Sequence, residues 1–271
     1  MTYKLIALDV DGTLLNDDYL LTERTRETVR RVHEQGSSIV LCTGRGPASA
    51  IPVLEELGLE GTVITHNGGA TVQSPGLELI HQYAFRVSRI APLIAYCREH
   101  EVHFDVCAPF DMYLERLTEI EQAMYKKFFV TPHLVSDVTA LTVPLVKFTL
   151  YSADPAVMDT VERDWSLSRL YGDLRMIRSG DHFIDVMHAD ATKGNALRSL
   201  CESLGIRADE VLAIGNYFND LEMISFAGLG IAMANSPAGV LEQADQITAS
   251  NNEDGVAQAL ETHVLQTVRR D

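Results

Sequence analysis

A chain of 271 residues is long enough for one large domain or two modest ones, and its 46% hydrophobic content supports a full core rather than disorder. The 22 Lys and Arg residues against 38 Asp and Glu give a net charge of −16, which argues against nucleic acid and anionic membranes as partners. No apolar run approaches the roughly 20 residues that a membrane-spanning helix needs. The start of the chain lacks the charged and apolar segments of a secretory signal, so we expect a cytoplasmic protein.

The first part of the chain alternates strands and helices. Continuous apolar runs predict buried strands at Leu5–Leu8, Ser38–Cys42 and Val63–Thr65. Helices are predicted between these strands, and they end at Gly36 and Gly58. This βαβαβ order indicates a parallel sheet with right-handed crossovers.

The pattern changes in the middle of the chain and then returns. A hairpin is predicted from Ala70 to Tyr83, around a Ser-Pro-Gly turn. From about residue 85, strands and helices follow in an order typical of an α+β insert with an antiparallel sheet, and the parallel pattern resumes at Thr192. We therefore expect an α/β core formed by residues 1–84 and 189–271, and a separate domain at 85–188.

Two carboxylates, Asp9 and Asp11, directly follow the first strand. Residues i and i+2 of a strand point to the same side, and open α/β sheets bind ligands at this end of their strands. A calcium loop of the EF-hand type is excluded, because Thr13 and Leu14 stand where that loop needs Asp or Asn and then Gly. A turn with helix-capping aspartates is the alternative. We favour a metal site with a nucleophile, because two carboxylates at the end of a buried strand are costly without a cation.

Polar residues also follow other predicted strands. Thr43-Gly44 offers a hydroxyl and an unhindered N–H at a helix start, which suits a phosphate but also occurs in ordinary turns. Lys193, in the first turn of a helix, opposes the helix dipole unless an anion lies beside it, although chance placement costs only tenths of a kcal/mol. Asn219-Asp220 follow another buried strand, where they could equally form a helix cap. The four cysteines are scattered, and we expect free thiols.

Four short segments together resemble the motifs of the haloacid dehalogenase superfamily. In chain order they are Asp9-Val10-Asp11-Gly12-Thr13-Leu14-Leu15, Thr43-Gly44-Arg45, Lys193-Gly194 and Gly215-Asn216-Tyr217-Phe218-Asn219-Asp220. The large insert between the second and third motifs resembles the Cof-type, type-IIB branch of sugar-phosphate phosphatases. This resemblance implies a Rossmann-like parallel-sheet core with an inserted α/β cap domain of the C2 type.

The resemblance also implies a role for each matching residue. Asp9 would be the nucleophile and Asp11 the general acid/base. Mg²⁺ would be bound by Asp9, the carbonyl of Asp11, Asn216 and Asp220. The phosphate would contact Val10, Thr43, Gly44, Lys193 and Asn219. The fourth motif usually carries Asp where Asn216 stands, so we expect weaker metal binding here.

The implied activity is Mg²⁺-dependent hydrolysis of small phosphorylated metabolites, sugar phosphates foremost, through an aspartyl-phosphate. Two alternatives stay open: a phosphomutase, and a phosphometabolite-binding protein whose catalysis was weakened by Asn216. Candidate substrate contacts are Arg45, His66, Asn67, Arg178, His182 and Asp185. Arg45 either reaches the substrate or pairs with a surface acid. The sequence does not indicate an oligomeric state.

Overall fold

The computed structural model describes residues 3–127, 129–165 and 172–265. The chain divides into two compact units. The core unit comprises Met1–His81 and Thr192–Asp271, and the insert unit comprises Gln82–Ala191. The insert unit therefore begins three residues earlier and ends three residues later than the 85–188 span expected from the sequence.

The N-terminal half of the core unit alternates strands and helices and then forms a hairpin. Its elements are β1 (Leu5–Leu8), α1 (Glu23–Glu34), β2 (Ser38–Cys42), α2 (Pro47–Glu56), β3 (Gly61–Thr65), β4 (Ala70–Ser74) and β5 (Glu78–Gln82). Helix α1 begins after Thr22, whose Oγ1 accepts a hydrogen bond from the Thr25 N–H at 3.3 Å. Helix α2 begins with Pro47, because the first turn of a helix needs no N–H at that position.

The insert unit contains a sheet with mostly antiparallel strands. Its elements are α3 (Ala91–Glu99), β6 (His103–Cys107), β7 (Met112–Leu114), α4 (Glu119–Lys127), β8 (His133–Leu134), β9 (Lys147–Tyr151), α5 (Pro155–Asp164), β10 (Leu174–Gly180) and β11 (Phe183–His188). The strand order is β10-β11-β9-β6-β7-β8, and β10, β11, β9 and β6 pair antiparallel. The short strands β7 and β8 were not predicted, and residues 166–168, expected in the helix after Pro155, lie outside the described residues.

The C-terminal half returns to the core unit and completes its sheet. Its elements are α6 (Lys193–Leu204), β12 (Val211–Gly215), α7 (Leu221–Phe226), β13 (Leu229–Met233), α8 (Ala238–Leu241), β14 (Gln246–Thr248) and α9 (Gly255–Leu260). Helix α6 begins after Thr192, whose Oγ1 accepts a hydrogen bond from the Asn195 N–H at 2.9 Å. Strand β14 and helix α8 were missed by the sequence analysis because both are too short to show a period.

The core sheet places the ends of four consecutive strands along one edge. Its order is β14-β13-β12-β1-β2-β3-β4-β5, and all neighbours from β14 to β3 are parallel. The predicted parallel α/β core is thus confirmed, with β1 between β12 and β2. Because parallel strands share a direction, the residues that follow β12, β1, β2 and β3 meet at the same edge of the sheet.

Apolar burial holds each unit around its own sheet. In the core unit, residues of β1, β2, β3 and β12 pack against α6 and α7, with Leu5, Val40, Leu197 and Met223 among the buried side chains. In the insert unit, buried residues of β6, β9 and β11 lie against residues of α3 and α5. The four cysteines are buried and free, as predicted. In the part of the chain that the structure describes, no helix has the length and apolarity needed to cross a membrane.

Candidate active site

The two carboxylates that follow β1 lie in different surroundings. The backbone N–H of Asp9 donates to the Ile214 carbonyl at 3.0 Å, which continues the pairing between β1 and β12. Asp9 is only 4% exposed, whereas the side chain of Asp11 is 44% exposed. Each carboxylate has its own cation, since Asp9 bonds to Lys193 and Asp11 bonds to Arg45.

Arg45 donates hydrogen bonds to both carboxylate oxygens of Asp11. Its Nη2 donates to Oδ1 at 2.6 Å and its Nε donates to Oδ2 at 2.9 Å, a bidentate geometry that fixes the carboxylate plane. The backbone N–H of Arg45 donates to Thr43 Oγ1 at 3.1 Å, and its Nη1 donates to the Ser49 carbonyl at 3.4 Å. Arg45 therefore links the turn after β2 to the expected general acid/base, rather than to an acid remote from the site.

Lys193 is buried between two carboxylates. Its Nζ donates to Asp9 Oδ1 at 2.7 Å and to Asp220 Oδ1 at 2.6 Å. The lysine stands at the first position of α6 and is 1% exposed, so the two anions compensate both for burial and for the helix dipole. With all three groups ionised, the cluster carries one net negative charge.

Burial and charge shift the titration of this cluster. Burial, reinforced by the negative charge of Asp220, raises the pKa of Asp9 to about 7, although Lys193 opposes the shift. Burial alone would lower the pKa of Lys193, but Asp220 and then Asp9 outweigh it and raise that pKa above its ordinary value. The Lys193 ammonium thus stays charged at neutral pH. A further cation beside Asp9 would stabilise the ionised form of its carboxylate.

Asp220 also shapes the loop that follows β12. Its Oδ2 accepts from the backbone N–H groups of Asn216 at 2.9 Å and Tyr217 at 3.0 Å, while Oδ1 is bound to Lys193. Both of its oxygens are therefore engaged by protein groups. These hydrogen bonds fix the backbone at Asn216 and Tyr217, and they thereby set the direction in which the Asn216 side chain extends.

The Asn216 amide meets the end of β1. One of its terminal atoms lies 3.1 Å from the Asp11 carbonyl oxygen, 3.1 Å from Asp9 Oδ2 and 3.3 Å from Thr13 Oγ1. With nitrogen in that position, the amide donates to these oxygens. With oxygen there, a carboxylate, a backbone carbonyl and an amide oxygen converge. Mg²⁺ holds oxygen ligands at 2.0–2.1 Å in an octahedron, so adjacent ligands lie about 3 Å apart, and this donor set fits the ion.

Among the groups that could bind a cation at Asp9, few carry a negative charge. Within the described ranges, no group of three or more His, Cys, Asp and Glu side chains is arranged to hold a metal. Besides Asp9, a cation here would be bound by the Asp11 carbonyl and the Asn216 amide, which are neutral. These residues therefore fit a hard divalent ion, with less charge than a site that has Asp at position 216.

Three further strand ends meet beside this cluster. The Thr43 carbonyl accepts from the Asn67 N–H at 2.9 Å, and Asn67 Oδ1 accepts from Asn219 Nδ2 at 3.0 Å. A Cβ atom at Gly44 would lie 3.0 Å from Asn67 Oδ1, so a side chain there would crowd the amide. The structure thus brings together the predicted residues that follow β2, β3 and β12.

His66 and Asn67 have unusual backbone angles. Their φ values are +50° and +53°, in the left-handed region that residues other than glycine rarely adopt. Both residues are buried, and the His66 N–H donates to the Arg45 carbonyl at 2.9 Å. Consecutive left-handed residues cost energy and occur where a site needs a particular geometry. Here they turn the chain after β3 back toward Thr43.

The candidate substrate residues of the insert unit do not form one cluster. Arg178 lies on β10, where its Nη1 contacts Asp159 at 3.1 Å and Glu162 at 3.4 Å, both on α5. It stands opposite Ile184 in the pairing of β10 with β11, and Ile184 belongs to the apolar core of the unit. Arg178 is therefore on the sheet face that α5 covers.

Asp185 lies on the other face of the same sheet. Its Oδ1 accepts from Thr149 Oγ1 at 2.9 Å and lies 3.8 Å from Lys147 Nζ. His182 lies in the turn between β10 and β11, where its Nδ1 is 3.1 Å from the Ser152 carbonyl. The three candidates thus occupy two faces and a turn.

Two contacts of the site were missed by the sequence analysis. Thr13 Oγ1 lies beside the Asn216 amide, and its position within the Asp-x-Asp-Gly-Thr segment was the available signal. Asn235 Nδ2 donates to the Gly12 carbonyl at 2.9 Å. Asn235 lies 223 positions from Gly12 and in no recognisable motif, so nothing local in the sequence pointed to it.

Comparisons with known proteins identify sequences similar to this chain. A sequence model of the family described as haloacid dehalogenase-like hydrolase matches residues 6–260. The protein YxeH of Bacillus subtilis (strain 168) is 35% identical over 277 residues, covering 97% of this chain and 99% of the relative. A relative from the same organism, 5-amino-6-(5-phospho-D-ribitylamino)uracil phosphatase YcsE, is 29% identical, covering 97% of this chain and 96% of the relative.

A solved structure extends the agreement to the whole fold. The crystal structure of a haloacid dehalogenase-like hydrolase from Bacteroides thetaiotaomicron matches with a TM-score of 0.86 and 32% identity, covering 96% of this chain and 99% of that chain. The superfamily, the Rossmann-like fold class and the hydrolase class predicted from the motifs are confirmed. This chain belongs to the haloacid dehalogenase-like hydrolases.

Proposed function

We propose that the protein is a Mg²⁺-dependent phosphatase that hydrolyses small phosphorylated metabolites through an aspartyl-phosphate. The observation that carries this proposal is the buried Asp9 carboxylate, held by Lys193 at 2.7 Å beside the Asp11 carbonyl and the Asn216 amide. A buried carboxylate with a fixed cation on one side is suited to nucleophilic attack on phosphorus. The same cation can bind the phosphate that Asp9 attacks.

Asp9, the Asp11 carbonyl and Asn216 are the residues we assign to Mg²⁺, with Asp220 in support through its bonds to the Asn216 loop. When bound, the ion neutralises negative charge on the phosphate and on Asp9. It would also change the net charge of the Asp9–Lys193–Asp220 cluster from −1 to +1. A positive site favours a phosphate monoester.

The chemistry divides into two displacements. An Asp9 oxygen bonds to phosphorus while the bond from phosphorus to the leaving oxygen breaks. Asp11, which for this step carries a proton taken up from solvent and is released from one of its two Arg45 hydrogen bonds, gives that oxygen its proton. Asp11 then takes a proton from a water molecule. The water oxygen bonds to phosphorus, the bond to Asp9 breaks, and inorganic phosphate leaves with the Asp9 carboxylate restored.

Groups around Asp9 are available to bind the phosphate. The Thr43 hydroxyl oxygen already accepts from the Arg45 N–H, so its proton is free to be donated to a phosphate oxygen. The backbone N–H groups of Val10 and Gly44 and the side chains of Lys193 and Asn219 complete the proposed phosphate site. Lys193 would move its hydrogen bonds between Asp9 and the phosphate during turnover.

We assign sugar phosphates and related phosphorylated metabolites, and the name of the YcsE relative adds a phosphoribityl compound to the candidates. We propose that the insert unit acts as a cap that contributes Arg178, His182 or Asp185 to recognition. Arg45, His66 and Asn67 would contribute from the core unit. A cytoplasmic location is also proposed, supported by the four free cysteines.

Phosphate release from a panel of substrates tests the proposal. The panel contains p-nitrophenyl phosphate, hexose phosphates, pyridoxal phosphate, flavin mononucleotide and the phosphoribityl compound, each at several Mg²⁺ concentrations. We expect release that requires Mg²⁺ and is abolished in Asp9→Asn. Binding without release in the wild-type protein would indicate the binding-protein alternative. Conversion of a hexose 1-phosphate to its 6-phosphate without release would indicate the mutase.

A further inference from the structure

The loop that carries Asp11 is fixed by an asparagine from the turn that follows β13. Asn235 lies two residues beyond β13, and its Nδ2 donates to the Gly12 carbonyl at 2.9 Å. Gly12 has φ of +76°, and a Cβ atom there would lie 2.4 Å from the Asn216 amide nitrogen. The residue at this position therefore has no side chain to hold it, and its peptide groups depend on hydrogen bonds for their orientation.

The Asn235 amide is itself held in one orientation. Its Oδ1 accepts from the backbone N–H of Asn251 at 3.2 Å, in the segment that follows β14. Oxygen toward Asn251 and nitrogen toward Gly12 is the orientation that satisfies both contacts. The amide thus connects the segment after β14 to the loop after β1, across the carboxyl edge of the sheet.

Other carbonyls of the loop have partners of their own. The Val10 carbonyl accepts from the Leu15 N–H at 3.0 Å, and the Leu15 carbonyl accepts from Asn251 Nδ2 at 3.1 Å. The Asp11 carbonyl faces the Asn216 amide at 3.1 Å. The hydrogen bonds on either side of Asp11 therefore leave its carbonyl directed at the proposed metal position.

We propose that Asn235 is a positioning residue that directs the Asp11 carbonyl toward the metal, a proposal that rests on the metal site of the proposed function. Asp11 C=O and Gly12 N–H belong to one peptide plane, and the Gly12 carbonyl belongs to the next. Fixing the Gly12 carbonyl fixes the rotation between these two planes. When Asn235 is lost, the peptide between Gly12 and Thr13 keeps the longer hydrogen bond from the Thr13 N–H to the Val10 carbonyl, at 3.4 Å, but its carbonyl side is released. The Asp11 carbonyl is then directed at the metal for a smaller fraction of the time.

Two variants of Asn235 separate positioning from charge. Asn235→Ala removes both hydrogen bonds. Asn235→Asp keeps the shape and the acceptor for the Asn251 N–H, but it loses the donor to the Gly12 carbonyl. An added negative charge near the site would by itself strengthen Mg²⁺ binding. A positioning role therefore predicts weaker binding in both variants, whereas a charge effect predicts tighter binding in Asn235→Asp.

The control is Asn252→Ala, on the same segment as Asn251. Asn252 accepts from the Asp17 N–H at 3.1 Å and donates to Asp17 Oδ2 at 2.8 Å. It therefore holds the loop after β1 at Asp17 and not at Gly12. We expect this variant to bind Mg²⁺ within about twofold of the wild-type protein. Asn235 is exposed, so neither of its variants should prevent folding.

Calorimetric titration of the metal-free protein with Mg²⁺, without substrate, is the primary measurement. We expect Kd to rise about three- to tenfold in Asn235→Ala, which is the loss expected for about one hydrogen bond, and to rise less in Asn235→Asp, where the added charge offsets part of that loss. In saturating Mg²⁺, KM for substrate should stay near the wild-type value. Wild-type Kd in Asn235→Ala, a Kd below the wild-type value in Asn235→Asp, or an equal rise in Asn252→Ala would overturn the positioning role. Absence of Mg²⁺ binding by the wild-type protein would instead contradict the proposed function.

Discussion

Arg45 holds the Asp11 carboxylate through two parallel hydrogen bonds, of 2.6 Å and 2.9 Å. The arginine side chain is mostly buried and the aspartate side chain is about half exposed, so the cation is the fixed member of the pair. Asp11 is thus placed beside the site by a residue of the second motif, and not by its own loop alone. Arg45 gains a role as an orienting group for the proposed proton transfer.

We expect Arg45→Lys to lower kcat about tenfold for alkyl phosphates, because a lysine offers no planar fork to fix the Asp11 carboxylate. A misplaced Asp11 protonates the leaving oxygen poorly. The nitrophenolate of p-nitrophenyl phosphate leaves without a proton, so its kcat should change much less. Steady-state kinetics with a hexose phosphate and with p-nitrophenyl phosphate measures the difference.

Arg26→Ala serves as the matched control, since it removes an exposed ion pair with Glu23 on α1. That variant should leave both substrates unaffected. An equal loss of kcat for the two substrates in Arg45→Lys would mean that Arg45 acts on phosphate binding or on folding, and not through Asp11.

Lys193→Ala is expected to abolish activity and to destabilise the core unit by about 3–5 kcal/mol, because it leaves two buried carboxylates without their cation. Asp9 and Asp220 bond to the same ammonium, at 2.7 Å and 2.6 Å. Urea denaturation measures the loss of stability. In Lys193→Ala combined with Asp220→Asn, part of that loss should be recovered while activity stays absent. Additive losses in the double variant would contradict a shared charge cluster.

Local patterns in the sequence were sufficient to predict the strands that position the site. The predicted bounds of β1, Leu5–Leu8, and of β2, Ser38–Cys42, coincide with those of the structure, because a short apolar run between turn signals indicates a buried strand. The parallel order followed from the βαβ alternation. Together these features predicted that Asp9 and Thr43 would lie at one edge of the sheet.

Contacts between distant side chains could not be predicted in this way. Asn67 and Asn219 bond to each other across 152 positions, and the direction of each side chain depends on its turn geometry. The left-handed φ of Asn67 is one such feature that no sequence period reveals. Arg45 illustrates the same limit, since its partner Asp11 was one acid among 38 in the chain.

Asn216→Asp is expected to lower the Mg²⁺ concentration for half-maximal phosphatase activity by about tenfold, because it adds a charged ligand to a donor set with one carboxylate. The same change places a carboxylate oxygen near Asp9 Oδ2, now 3.1 Å from the amide. The metal-free variant should therefore unfold at a lower temperature than the wild-type protein, and Mg²⁺ should stabilise it more. Thermal unfolding with and without Mg²⁺ provides this second measurement. An unchanged Mg²⁺ requirement would indicate that position 216 does not contact the metal.

Asp105 in the insert unit provides a pH-dependent test of stability. Its Oδ2 accepts from the Tyr125 hydroxyl at 3.1 Å, and burial raises the pKa of Asp105 to about 6, although Lys147 opposes the shift. A carboxyl whose pKa is higher in the folded protein stabilises the fold most below its unfolded value of 3.8. That contribution is lost as pH rises to about 6.

Asp105→Asn should therefore gain stability relative to the wild-type protein as pH rises from about 4 to 6, by about 2–3 kcal/mol in all, and no further above that range. Urea denaturation at several pH values, followed by a probe in the insert unit, measures the difference. Asp105→Ala removes the same charge and also the acceptor of the Tyr125 hydroxyl. It should show the same pH dependence with lower stability at every pH. A constant difference between Asp105→Asn and the wild-type protein from pH 4 to 7 would show that Asp105 titrates normally in the folded state.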